Sequence, residues 1–125
     1  MIAERVSLPF ALAAALGIAA CASAPDRLET PKVVVGLEIS PYGVYEECVE
    51  LQAGQRIGYL FRAAVPVAFN IHFHDGNAVI EPIARARTGG ESGEFVADRG
   101  QTYCLMWEAG AGGSALDYRV ARLRH

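Results

Sequence analysis

Beyond residue 31 the chain has one dominant rhythm. Short runs rich in Val, Ile, Tyr and Phe are cut by Gly, Pro and Asp at intervals of about 8 to 12 residues, with no helix-period stretch among them. A chain of this kind buries alternate side chains between sheets, so the fold class expected is all-β: an antiparallel β-sandwich, jelly-roll-like, of about 7 to 8 strands. The runs are KVVVGLEI (32–39), ECVELQ (47–52), IGYLFRAA (57–64), VAFNIHFH (67–74), NAVIEPI (77–83), EFVA (94–97), TYCLMWE (102–108) and SALDYRVARL (114–123). In TYCLMWE both alternating sets are apolar, which marks a central strand. SPYG (40–43), AGQ (53–55), Pro66, Asp75-Gly76 and DRGQ (98–101) read as turns, while RARTGGESG (85–93) and AGAGG (109–113) read as the mobile connections.

Asp75-Gly76 between two alternating runs is a two-residue hairpin signal that pairs Phe73 with Ala78, Ile71 with Ile80 and His72 with Val79. Paired residues share a face. Phe69, Ile71, Phe73, Ala78 and Ile80 are therefore expected in the core, and Asn70, His72, His74, Asn77, Val79 and Glu81 on the outer, solvated side. A hairpin loop one pair longer leaves that division intact.

The front of the chain differs. VSLPFALAAALGIAA runs uncharged from Val6 to Ala20. As a helix it would extend roughly 22 Å, short of a hydrocarbon core of about 30 Å, so it reads as a leader rather than a span. Its end, Ile18-Ala19-Ala20-Cys21, resembles a bacterial lipobox, which implies lipidation of Cys21 and removal of residues 1–20. The other reading is an ordinary cleaved signal with Cys21 incidental; Glu4 beside Arg5 leaves the positive n-region weak. Residues 21–31 are a small, polar, proline-bearing tether, and 32–125 form the one domain that this length accommodates. A lipidated Cys21 would anchor the protein to a membrane, and Ala22 after it resembles the outer-membrane sorting pattern, facing the periplasm.

Export sets the reading of Cys48 and Cys104. In an oxidising compartment such a pair in a small domain forms a disulfide; the other reading is two buried free thiols. A net charge of −3, from 11 Lys plus Arg against 14 Asp plus Glu without a basic stripe, argues against nucleic acid as a partner.

In order and texture, ECVELQAGQ, IGYLFRAAVPVAFNIHFH, GEFVADRGQTYCLMWEA and LDYRV, spread over residues 46–120, resemble the GOLD domain, the β-sandwich of p24/emp24 cargo receptors and Sec14-like lipid-transfer proteins. The resemblance implies a disulfide from the early strand to the late aromatic one, here Cys48 to Cys104, and a sandwich used for protein or ligand binding rather than chemistry. The chain departs from that pattern at Ala109, where members usually carry asparagine, and in having no transmembrane tail or coiled coil. It also looks like small bacterial lipoproteins bearing the strings FNIHFH and YCLMW.

Two chemistries compete for the histidines. At i and i+2 on a strand, His72 and His74 are about 7 Å apart and can converge on one ion. Glu81, diagonal to His72 in this register, would be the third ligand, Asp75 lies at the turn, and only a tertiary accident would bring Met106 or His125 near. Thioether with imidazole favours copper, and carboxylate with imidazole favours zinc. Against this, Asn70, His72, His74 and Asn77 form a polar outer surface that would suit a partner. A cupin-like site is disfavoured because Glu81 follows too late. Ser92 lacks the spacing of a nucleophile elbow, GAGGS (110–114) lacks the strand-to-helix context of a phosphate loop, and Glu46, Glu47 and Glu50 fit a charged edge that discourages pairing. The expectation is a non-enzymatic envelope lipoprotein, an accessory module for a protein or small ligand, with periplasmic copper or zinc binding through His72 and His74 as the alternative.

Overall fold

The computed structural model describes residues 30 to 123. The leader, Cys21 and His125 lie outside the described residues. The described chain is all-β, as six antiparallel strands: β1 Lys32–Ile39, β2 Val44–Leu51, β3 Arg56–Asp75, β4 Ala78–Val96, β5 Gln101–Glu108 and β6 Ser114–Leu123.

Everything is organised by the β3–β4 hairpin, whose arms run 20 and 19 residues. β4 pairs along one edge of β3 from Arg56↔Val96 to Asp75↔Ala78. The other edge of β3 changes partner halfway: residues Arg56 to Ala63 pair with β6, and Ala68 to His72 pair with β5. With β1 added to β6 and β2 to β5, the hairpin feeds two four-stranded leaves. The first leaf is β1-β6 with the start of β3 and the end of β4; the second is β2-β5 with the end of β3 and the start of β4. Every other connection passes from one leaf to the other, a jelly-roll winding in which each leaf gathers strands distant in sequence.

The bend explains why eight apolar runs are found as six strands. Pro66 falls where the β6 ladder has stopped at Ala63 and the β5 ladder begins at Ala68, and where the register with β4 jumps between Arg62 and Val67. A residue without an N–H is tolerated there, so Pro66 marks a corner and not a turn. RARTGGESG, expected as a mobile loop, is strand: it is the part of β4 that rounds the same corner. Gly90 is needed there, since a Cβ would come 2.8 Å from the Phe61 carbonyl oxygen.

At the hairpin tip the turn is Gly76-Asn77, with Gly76 at φ 59° and Asp75 paired to Ala78. Glycine first, with positive φ, is the II′ requirement. The register is shifted by two residues from the expected one, so Phe73 meets Ile80 and His74 meets Val79, and because the shift is even the assignment of faces at the tip survives.

The core is one cluster between the leaves. Ile57, Phe61, Leu116 and Tyr118 come from the first, and Leu51, Phe69, Ile71, Phe73, Tyr103, Leu105 and Trp107 from the second. Trp107 packs 5.7 Å from both Phe61 and Phe69 and 4.9 Å from Tyr118, joining the leaves. The expected burial of Ala78 and Ile80 is corrected. Both are exposed, because the first half of β4 is the sheet edge and extends past the covering leaf, which also makes Pro82 tolerable there.

Candidate functional site

On the outer face of the second leaf, register places Cys48, Cys104 and His72 side by side across β2, β5 and β3, with Glu46, Met106 and Asn70 as the next row. Cys48 and Cys104 are joined as a disulfide between directly opposed residues.

His72 points away from the phenylalanine core, as alternation requires, yet it is only 3% exposed. The expectation of a solvated face is corrected for His72 and for Asn70, which is also buried, whereas His74 and Asn77 are exposed. Alternation sets direction, and the neighbouring side chains set burial. His72 Nδ1 lies 2.7 Å from Asn70 Oδ1, Nε2 lies 3.4 Å from Glu46 Oε1, and the His74 ring stands edge-on at 5.3 Å. Asn70 Oδ1 accepts, which puts a proton on Nδ1 and turns Nε2 toward a carboxylate. Nδ1 is thereby engaged, and a cation could sit between Nε2 and Glu46.

Among the described residues, the His, Cys, Asp and Glu donor atoms that gather within 4.8 Å of one another belong to Glu46, His72 and Cys104. His74 and Glu81 are not part of that group. Glu81 sits on exposed β4 in the register shift between Ile71 and Phe73, facing His72 across a bulge rather than diagonal to it. Glu46, read from the sequence as a charged edge residue, is exposed on edge strand β2 and is also the partner of His72. Its neighbour Glu47 faces inward, where its Oε2 accepts from Lys32 Nζ at 2.8 Å and from the Tyr118 hydroxyl at 3.4 Å, and Tyr118 in turn lies 3.1 Å from the Tyr45 hydroxyl. Burial foremost, then the bonds to Tyr45 and Glu47, push the Tyr118 hydroxyl well above the usual phenol range.

The outer face of the first leaf has a different character. Val33, Arg119, Leu60 and Ser92 form one row across β1, β6, β3 and β4, flanked by Arg62 opposite Asp117. Val33, Val35 and Leu60 are 61%, 76% and 53% exposed. Small residues around Leu60, namely Gly58, Ser92, Gly93 and Ala121, leave a depression of about 430 Å³, and a second of about 300 Å³ lies between Leu60 and Val33 to Val35. The projection of Val35 has a local cause. β1 shifts register between Val34 and Leu37, Gly36 adopts φ 68°, and its N–H donates to Asp117 Oδ1 at 2.7 Å. Such a bulge re-aims the side chain next to it. Three consecutive valines in KVVVGLEI were the available signal, since strict alternation would put a polar residue at one position.

No protein-family model matches this chain, and no curated protein sequence does. Solved structures do. PliG from Aeromonas hydrophila, a periplasmic lysozyme inhibitor of g-type lysozyme, is similar in fold at TM-score 0.54 and 14% identity, over 74% of this chain and 85% of that one. The Yersinia pseudotuberculosis-derived mitogen follows at TM-score 0.49 and 12% identity, over 77% and 86% of the two chains. TmCBM61, solved in complex with β-1,4-galactotriose, gives TM-score 0.47 and 17% identity, over 81% and 89%.

Proposed function

We propose that this chain is a non-enzymatic envelope lipoprotein, anchored through Cys21, whose sandwich binds a protein partner through the outer face of its first leaf. The observation that carries the reading is the set Val33, Val35 and Leu60, three exposed aliphatic side chains held together on rigid strands and bordered by Arg62 and Arg119. An apolar centre with a guanidinium rim is the composition of a protein interface. The depressions beside Leu60 are open troughs on a sheet and do not surround a small molecule on most sides, as a ligand pocket does. The fold is compatible with such a role: PliG, with a similar architecture, inhibits a lysozyme in the periplasm. The Cys48–Cys104 disulfide supports both an oxidising compartment and the GOLD-like resemblance, in which binding and not catalysis is the function.

Two measurements test this. Fatty-acid labelling of cells should mark the wild-type chain and not Cys21→Ala; equal label in both ends the lipoprotein reading. A photoreactive side chain at position 35 or 60 should crosslink one discrete partner in cells, and Leu60→Asp should abolish that product without shifting the thermal midpoint. The same product from a probe at Thr102, on the other leaf, would show that the first leaf is not the binding face.

A further inference from the structure

The cluster around His72 is built as a metal site with two of its donors withheld. Its imidazole is buried and oriented, with Nδ1 held at 2.7 Å by Asn70 Oδ1, Nε2 presented to Glu46, and Cys104 in the same donor group. Donation of the second ring N–H to a fixed acceptor is the arrangement that orients and strengthens a ligating histidine. While the sulfurs are bonded to each other, only His72 and Glu46 remain as donors, fewer than a stable zinc centre uses. Reduction changes the count to four: Cys48 and Cys104 become thiols in the same cross-strand row as His72, with Glu46 in the adjacent row.

We infer that reduction of the Cys48–Cys104 disulfide converts this cluster into a tetrahedral zinc site formed by Cys48, Cys104, His72 and Glu46. The reductant is a dithiol. One of its thiolates attacks the exposed Cys48 sulfur and releases Cys104 as thiolate beside His72; its second thiol then resolves the mixed disulfide. Two electrons and two protons pass to the cysteines, and the dithiol leaves as a disulfide. Zinc then displaces the two thiol protons. Neighbouring donors in a tetrahedral zinc site lie about 3.5 Å apart, given bonds of about 2.0 to 2.3 Å. The donor atoms of Glu46, His72 and Cys104 already lie within 4.8 Å of one another, and closing the site then requires rotation of the exposed Glu46 and Cys48 side chains. This site is independent of the lipid anchor and of the first-leaf surface.

The test titrates the purified chain, oxidised and phosphine-reduced, with cobalt as a spectroscopic probe and then with zinc in competition. The reduced chain should bind one ion with thiolate-to-cobalt charge transfer and tetrahedral ligand-field bands, and the oxidised chain should show neither. Asn70→Ala should weaken zinc by about 10- to 100-fold, the range for loss of an orienting partner, and His72→Gln and Glu46→Gln should weaken it further. Equal binding by the oxidised chain overturns the inference. So does wild-type affinity in all three variants, because two thiols in an unfolded chain would bind in that way. A reduced chain that unfolds and does not regain its far-ultraviolet spectrum with zinc overturns it as well.

Discussion

Trp107 is where the two leaves converge: it is fully buried, stacked 28° from the Phe69 plane, edge-on to Phe61 and 4.9 Å from Tyr118. Trp107→Ala should cost about 3 to 5 kcal/mol in urea unfolding, since neither rigid leaf can collapse into the gap. Trp107→Phe should cost clearly less, because the indole N–H has no acceptor among the described residues and its removal offsets part of the lost area. Tyr59 makes a second prediction. Burial foremost, then its bond to Glu91 Oε2 at 2.9 Å, pushes its hydroxyl up to about 12. In the unfolded chain the value is about 10. A folded value above the unfolded one means that the contribution is intact below pH 10 and is lost as pH climbs through about 12. Stability should therefore fall across that alkaline window, and Tyr59→Phe should flatten its share of the fall; an unchanged slope in the variant would assign the loss to other groups.

For the elements, the apolar runs were legible because alternation is a local property. β1 and β6 match their runs, and the SPYG and AGQ turns are present. Pro66 and the glycines of 85–93 misled because the same residues punctuate a chain at a corner within a strand as at a turn between strands. Only the partner exchange along β3 separates the two cases, and that is a non-local fact. The β5–β6 connection offers a controlled comparison of glycines. Gly113 adopts φ 66°, and a Cβ there would lie 2.7 Å from the Ile39 carbonyl oxygen, whereas a Cβ at Gly110 meets nothing within 4 Å. Gly113→Ala should cost about 1 to 3 kcal/mol, from strain plus displaced backbone, and Gly110→Ala should stay within about 0.5 kcal/mol. Thermal unfolding of both variants checks the difference, and equal midpoints would contradict the close approach at position 113.

For the whole molecule, alternation fixes the direction of His72, but its surroundings depend on β5 and β2, which stack beside β3 on the edge away from β4 and lie far from it in the chain. Glu81 is near in sequence and falls in the β3–β4 bulge without joining the donor group, while Glu46, far back in β2, reaches His72 across β5. The disulfide that completes that row also restrains the unfolded chain. Its cysteines are 56 residues apart, a loop whose closure stabilises the fold by about 4 kcal/mol in the chain-entropy account. Domains of this size hold about 5 to 15 kcal/mol in total, so the reduced chain should remain folded with a much smaller margin. Urea melts with and without reductant should show the midpoint falling by the equivalent of about 4 kcal/mol, with a somewhat steeper slope because the uncrosslinked chain exposes more surface when unfolded. Cys48→Ser with Cys104→Ser should reproduce that fall without reductant. A double variant as stable as the oxidised chain would mean that the leaf holds its register without the crosslink, through the β2–β5 ladder and the packing of Tyr45 and Leu51 beneath it.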